Sequence, residues 1–173
     1  MARLSYVTDN SEIANRIRHR RGGHLTPLDG MLLHSPPLAD GWNSFFNAIR
    51  NQSTLPHDIR ELAILRVAAL NGARYEWEAH EPIARRTGLD AEQIAVLREG
   101  GDTSILTASQ SASLAYTDAM TRNIQVPEPL FSTLYEHFDH RQIVELTATI
   151  GAYNLVSRFL VALEVGLDDR ENR

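Results

Sequence analysis

The amino-acid sequence predicts an all-α protein with a compact, multi-helix architecture, and three observations support this. Hydrophobic residues recur at helical spacing along most of the 173-residue chain. Cap and breaker residues, mainly Asp, Ser, Pro and Gly, separate these periodic segments. No segment shows the alternation of apolar and polar residues that is typical of a strand. We therefore expect a single all-helical domain over residues 1–173, with its helices packed in an orthogonal or bundle-like array.

The predicted helices follow one another with short connections. A first helix ends at about Arg20, and its start can be capped by Asp9, Asn10 or Ser11. Further helices are predicted over residues 27–33, 38–50, 56–70, 74–86, 91–98, 109–122, 127–138 and 140–165. The Ser-Pro-Pro segment at residues 35–37 is expected to separate the second helix from the third. Asn71-Gly72 suits the turn after the fourth helix.

Composition excludes several classes of function. The sequence contains no cysteine, which rules out disulfides, thiolate metal sites and thiol catalysis. The formal net charge of −5 argues against a nucleic-acid partner, because phosphates require a basic surface. The longest apolar run, residues 143–165, is interrupted by Glu145, Asn154, Arg158 and Glu164, so we expect a buried core helix and no membrane span. The first residues lack the pattern of a secretory signal, so we expect a cytoplasmic protein.

Glu61 is the first candidate for chemistry, because it is a carboxylate within an apolar helical run. Its neighbours at helical spacing, Ile64, Leu65 and Ala68, are all apolar. A carboxyl group on such a face is either desolvated, which raises its pKa, or held ionised by a partner. The structural alternatives are an ion pair with Arg66 or another arginine, and a helix that is exposed on that side.

Glu76 and His80 stand at positions i and i+4 of the next predicted helix and therefore project from one face. A carboxylate beside an imidazole orients the ring and raises its basicity, as a proton-transferring histidine requires. Alternatively, Glu76 favours the helix macrodipole from the first turn, and His80 is an ordinary core or surface histidine. Together with Glu61 the pair has the ligand types of a metal site, but no further ligand lies at an obvious spacing. We expect neither a metal nor a cofactor.

Five further residues are candidates for contact with a substrate. Tyr75 and Trp77 flank the pair and could stack on a ligand, although core packing is the alternative for Trp77. Arg158 lies in the apolar last helix, where a buried arginine must be paired. Its partner is either a protein carboxylate, such as the one on the fourth helix, or a substrate carboxylate. Asn154 lies one turn before it, and His34 precedes a helix and could reach the same cavity.

The chain resembles the carboxymuconolactone decarboxylase family, which includes the alkylhydroperoxidase D-like (AhpD-like) proteins. The matching segments are Leu55-Pro56, residues 60–68, Asn71-Gly72, Tyr75-Glu76-Trp77, His80 and Gly88-Leu89. The resemblance is specific over residues 55–97 and looser at residues 34–36 and 153–159. It implies an all-helical protein that assembles as a homo-oligomer, usually a trimer or a hexamer.

The resemblance also implies which chemistry remains possible. The hydroperoxidase branch carries a Cys-x-x-Cys pair, and Ala73 and Glu76 occupy those two positions here, so thiol peroxidase activity is excluded. The other branch implies a cofactor-free acid–base lyase that decarboxylates a small cyclic, lactone-type or β-keto carboxylate. In that interpretation His80 donates the proton, Glu76 orients it, Glu61 sets the protonation states and Arg158 anchors the retained carboxylate. An isomerase or hydrolase with the same site, and a non-catalytic binding or scaffold protein, are the alternatives.

Overall fold

The structure, a computed structural model, describes residues 2–8, 10–167 and 169, and this part of the chain is all-helical. Its two 3₁₀ helices are Thr103–Ile105 and Thr133–Glu136. The α-helices of the described residues are α1 (Glu12–Arg20), α2 (Pro27–Leu32), α3 (Pro36–Asn51), α4 (His57–Leu70), α5 (Arg74–Arg86), α6 (Ala91–Glu99), α7 (Ala108–Asn123), α8 (Glu128–Ser132) and α9 (His140–Ala162). The described residues contain no strand, so the predicted all-α class is confirmed.

Local sequence signals set most of the helix ends. The Oγ atom of Ser11 accepts a hydrogen bond from the N–H of Ala14 at 3.2 Å and caps α1 as predicted, while Asp9 lies outside the described residues. The predicted start of the third helix at residue 38 is wrong. Pro36 and Pro37 form the first turn of α3, because a missing N–H costs no hydrogen bond there. The segment 127–138 divides into α8 and a 3₁₀ helix.

The chain divides into two compact units. One consists of the described residues up to Gln52 together with those from Phe159 onward, and the other is Ser53–Arg158. In the first unit, Trp42 stacks on Phe46 with the ring centroids 5.0 Å apart, and Arg21 pairs with the buried Asp29 at 2.6 Å. That a single domain spans residues 1–173 stays a prediction.

Helix α4 is the core of the Ser53–Arg158 unit. Every residue from 59 to 68 is buried, and α5, α6 and α7 pack against this helix. The continuous burial explains why apolar residues occur on every face of this helix, so that it is not amphipathic. It also means that the charged residues within this run must find partners inside the protein.

Two groups of side chains on α9 hold the ends of α4. Before α4 begins, the Glu145 carboxylate accepts hydrogen bonds from the backbone N–H groups of Thr54 at 2.8 Å and Leu55 at 3.0 Å. After α4 ends, the Asn71 amide donates to Asn154 Oδ1 at 3.0 Å and to Ser157 Oγ at 2.7 Å. These contacts fix α4 against α9 at both ends.

Helix α9 is only partly the buried core helix that the sequence predicts. Val144, Leu155 and Val161 are exposed, at 67%, 50% and 50% of their surface. The high apolar content of residues 143–165 does not indicate that one side of the helix faces solvent, because composition alone does not reveal which face of a helix is buried. Within the described residues, the helices are too short or too polar to cross a membrane.

We expect Glu145→Gln to weaken the α4–α9 junction in a pH-dependent way. Burial acts to raise the pKa of Glu145, but hydrogen bonds from Arg141, Ser53 and Thr54 outweigh it and lower the pKa to about 2. The stabilising contribution is therefore present above about pH 4.5 and lost as the pH falls towards 2. At pH 7 the substitution should lower the free energy of unfolding by about 1–3 kcal/mol.

Urea unfolding of the wild type and the variant between pH 7 and pH 2 measures this effect. The two proteins should converge in stability as the acid limit is approached. Glu136→Gln, at an exposed glutamate of the same unit, serves as the control and should change stability little. A constant difference at every pH would contradict the assigned role of the Glu145 carboxylate.

Candidate active site

A turn at Asn71-Gly72 brings two predicted site helices face to face. Gly72 adopts a φ of +63°, which a residue without a side chain tolerates, and the Ala73 N–H donates to Ala68 O at 2.8 Å. Helix α5 therefore folds back on α4, so that residues far apart along the chain can meet.

Glu61 on α4 and His80 on α5 meet at hydrogen-bond distance. The distance from Glu61 Oε2 to His80 Nδ1 is 2.7 Å, and Arg60 Nε donates to Glu61 Oε1 at 3.3 Å. The other ring nitrogen, His80 Nε2, lies 3.5 Å from Glu76 Oε2 and 3.3 Å from the Tyr153 hydroxyl. We call these five residues the His80 cluster. Glu61, Glu76, His80 and Tyr153 expose no more than 5% of their surface.

The pKa of Glu61 lies below the ordinary value for a glutamate. Burial acts to raise this pKa, but the hydrogen bond and charge of His80 and the charge and hydrogen bond of Arg60 outweigh it. Of the two states that the sequence leaves open for Glu61, the structure favours the ionised one. An ionised carboxylate can only accept hydrogen bonds, so Nδ1 of His80 must carry a hydrogen.

This arrangement leaves Nε2 of His80 as the nitrogen that can exchange a proton. It faces Glu76 Oε2, a buried oxygen that makes no hydrogen bond. A proton at this junction has two possible places, Nε2 of His80 or Oε2 of Glu76, and both give the cluster the same total charge. The Tyr153 hydroxyl can donate to Nε2 when the nitrogen is bare and accept from it when the nitrogen is protonated.

The structure thus brings together Glu61, Glu76 and His80, as the sequence suggests. Tyr75 is also buried on α5. Trp77 belongs to the apolar core with Leu62 and Leu65, and its Nε1 donates to Glu81 at 3.1 Å, which favours the core-packing alternative for that residue. The predicted alternative of an ion pair between Glu61 and an arginine is met by Arg60, whereas its Arg66 form is wrong.

Arg66 is instead held by an acidic partner on α7. Its guanidinium makes a bidentate contact with Asp118 at 2.5 and 2.7 Å and also donates to the Leu97 carbonyl at 3.0 Å. These bonds satisfy a second buried charge of α4 without involving the His80 cluster.

The prediction that Arg158 is buried is wrong. Arg158 is exposed on the solvent-facing side of α9, and it donates to the carbonyl and to the side-chain oxygen of Asn154 at 3.0 and 2.5 Å. Asn154 itself is engaged with Asn71 and with Thr121 Oγ1, so its contacts hold helices together. His34 lies in the other unit, where its Nε2 is 2.7 Å from Ser5 O.

Two members of the cluster are absent from the residues that the sequence singles out. In the sequence Arg60 is typical of a surface residue, because it is Glu61, the next residue, that shares a helix face with apolar residues. Tyr153 lies 73 residues after His80 in the sequence, so only tertiary packing reveals that the two rings meet. They are in edge-to-face contact, with their centroids 5.1 Å apart. The available signal was the polar Tyr153-Asn154 pair within an apolar helix.

Metal binding has no support from side-chain clustering in the described part of the chain. No group of three or more His, Cys, Asp or Glu side chains there could hold a metal ion. In the His80 cluster the two imidazole nitrogens face different carboxylates, so the potential ligands do not converge on one point.

Comparison with known proteins identifies relatives of this fold and sequence. A model of the carboxymuconolactone decarboxylase family matches residues 36–120. The uncharacterized protein YdfG of Bacillus subtilis (strain 168) is 27% identical over 114 residues, which is 65% of this chain and 78% of YdfG.

Solved structures agree with the sequence matches. A protein of unknown function from Agrobacterium tumefaciens, whose description relates it to the antioxidant defence protein AhpD, is 26% identical with a TM-score of 0.72. The alignment covers 79% of this chain and 94% of that protein. A peroxidase-related protein with an AhpD core from Ralstonia eutropha JMP134 gives a TM-score of 0.80 at 19% identity, over 98% and 93% of the two chains.

We expect Glu61→Gln to destabilise the protein by about 3–5 kcal/mol at pH 7, because it leaves Arg60 and His80 without their buried carboxylate. The folded-state pKa of Glu61 is depressed, so its contribution is present above the pKa of the unfolded chain and is lost as the pH falls through the folded value. Denaturant unfolding at neutral and acidic pH measures both effects.

Glu78→Gln provides the matched control. Glu78 pairs with Arg74 on the surface of α5, and an exposed pair contributes about 0–1 kcal/mol. Equal effects of the two substitutions would contradict a buried, ionised Glu61.

Proposed function

The chain belongs to the carboxymuconolactone decarboxylase and AhpD-like family, and on that basis we propose that it is a cofactor-free acid–base lyase. The proposed substrate is a small lactone-type or β-keto carboxylate, and the proposed reaction is decarboxylation. The observation that carries this proposal is the 2.7 Å contact between His80 Nδ1 and Glu61. It fixes the ring so that Nε2 becomes the proton-transferring atom.

In the proposed reaction the carbon–carbon bond to the leaving carboxylate breaks, and its electron pair is delocalised into the neighbouring carbonyl as an enolate. The Nε2–H of His80 then delivers a proton to the carbanionic carbon, and CO₂ leaves. Solvent returns the proton to Nε2. Ionised Glu61 stabilises the imidazolium form of His80 between turnovers. Glu76 and Tyr153 contact Nε2 of His80 and maintain the orientation of the ring.

Charge balance supports the proposal. Two carboxylates close to a carboxylate substrate would repel it, but Arg60 contacts one of them and His80 lies between both. Isomerisation or hydrolysis by the same residues would use the same proton transfer. Thiol-dependent peroxide reduction is excluded, because the sequence contains no cysteine.

A second candidate function is a non-catalytic binding or scaffold role. The observation that favours it is the burial of the cluster, since His80 exposes only 5% of its surface. A buried, hydrogen-bonded polar network can serve to specify the packing of a core without any chemistry. The trimer or hexamer and the cytoplasmic location stay predictions, which sedimentation equilibrium and cell fractionation would test.

We expect the purified protein to release CO₂ from a panel of carboxylated lactones and β-keto acids, and His80→Ala to be slower by a factor of about 10²–10⁴, as for a lost general acid. A coupled CO₂ assay measures the rates. His19→Ala, at an exposed histidine of α1, is the matched control and should retain the wild-type rate.

The outcomes separate the two candidates. If the protein released no CO₂ above background from any member of the panel, the decarboxylase proposal would fail and the binding or scaffold role would be favoured. Equal rates for the wild type and folded His80→Ala would remove His80 from the mechanism.

A further inference from the structure

A groove in the Ser53–Arg158 unit has no role in the site described above. Its volume is about 260 Å³, close to the lower end of the range of about 300–1,000 Å³ for small-molecule sites. We call it the Trp77 groove, and it is lined by Ala68, Ala69, Gly72, Ala73, Arg74, Trp77 and Arg98. Four of these residues are alanine or glycine, and this part of the lining is apolar and offers little steric obstruction to a flat carbon skeleton.

Arg98 gives the groove a cation that forms no direct ion pair within the described part of the chain. Its guanidinium stacks over the Trp77 ring at 4.9 Å, which restricts its position. Among the described residues Arg98 makes no hydrogen bond and no ion pair, so its N–H donors remain available. A planar guanidinium held in this way is suited to a carboxylate, which it can bind through two parallel hydrogen bonds.

The acidic group that interacts with the charge of Arg98, Glu81, already has hydrogen-bond partners. Glu81 accepts from Trp77 Nε1 at 3.1 Å and from Arg85 at 2.7 Å. These bonds, led by the one from Arg85, together with the charges of Arg85 and Arg98, hold the pKa of Glu81 below its ordinary value. Glu81 therefore stays ionised near Arg98 without forming a direct ion pair with it.

Two further features add positive potential to the groove. Arg74 lines it, although its guanidinium also pairs with Glu78 on the surface. Helix α5 begins beside the groove, and its N-cap residue, Ala73, has no side chain that could satisfy the first N–H groups. The positive end of the α5 macrodipole thus lies at the groove wall.

We propose that the Trp77 groove binds a small planar organic carboxylate, with the carboxylate on Arg98 and the carbon skeleton over the alanine and glycine lining. Glu76 and His80 lie within one turn of Trp77 on α5. The identification of this ligand as the substrate rests on the proposed function, whereas the binding itself does not. This assignment gives Arg98 the anchoring role that the sequence assigns to Arg158.

The test uses Trp77 as its own probe. The sequence contains two tryptophans, and Trp42→Phe leaves Trp77 as the only one. In this background we expect benzoate to cause a saturable change in tryptophan fluorescence, and benzyl alcohol, which lacks the charge, to cause none. Arg98→Gln should weaken benzoate binding at least tenfold.

Arg86→Gln is the matched control, because it removes an exposed arginine at the end of α5 that does not line the groove. It should leave benzoate affinity within about twofold of the parent, since exposed charges at a distance are screened by salt. Circular dichroism and thermal unfolding show whether each variant is folded.

Three results would overturn the proposal: no saturable signal with benzoate, equal binding of benzyl alcohol, or equal weakening by Arg98→Gln and Arg86→Gln. Because benzoate is not a β-keto acid, this test does not depend on turnover. Benzoate binding without CO₂ release from the panel would support the binding role of the groove and contradict the lyase proposal. CO₂ release without benzoate binding would support the lyase proposal and contradict the binding role of the groove.

Discussion

The hydrogen bond between His80 Nδ1 and the ionised Glu61 carboxylate is the interaction on which the candidate site depends. Burying a carboxylate in the middle of a core helix is costly unless a cation and hydrogen bonds compensate for it. Arg60 and His80 supply both. The same requirement explains the contact of Arg66 with Asp118, since α4 can be surrounded by other helices only if each of its charges is paired.

Helix α9 links the framework to the site. Its Glu145 holds the segment before α4, its Asn154 and Ser157 hold the turn after α4, and its Tyr153 places a hydroxyl 3.3 Å from His80 Nε2. A proton-transferring ring is effective only if its orientation is maintained, and contacts on both nitrogens maintain it here. Within the cluster, Oε2 of Glu76 is a buried oxygen that makes no hydrogen bond. It is therefore the place where a proton can move with the least rearrangement.

The parts of this structure that local sequence determines could be predicted from it. The helices follow from periodicity and cap residues, and the Glu76–His80 pair follows from their separation by one helical turn. The meeting of Glu61 with His80 needed the family resemblance, because a turn at Asn71-Gly72 does not by itself fix how two helices pack. Tyr153 and Arg98 depend on tertiary packing across the unit. The error over Arg158 has another cause: an apolar composition indicated burial, whereas the exposed face of α9 is also partly apolar.

Long-range ¹H–¹⁵N NMR of the imidazole tests most directly whether ionised Glu61 keeps a hydrogen on Nδ1 of His80. The chain has seven histidines, and comparison with His80→Ala assigns the relevant signals. We predict that in the wild type Nδ1 is always protonated, either in the neutral ring or in the imidazolium, and that Glu61→Gln abolishes this preference. A neutral ring with its hydrogen on Nε2 in the wild type would contradict the account, because Nδ1 would then face the carboxylate with a lone pair.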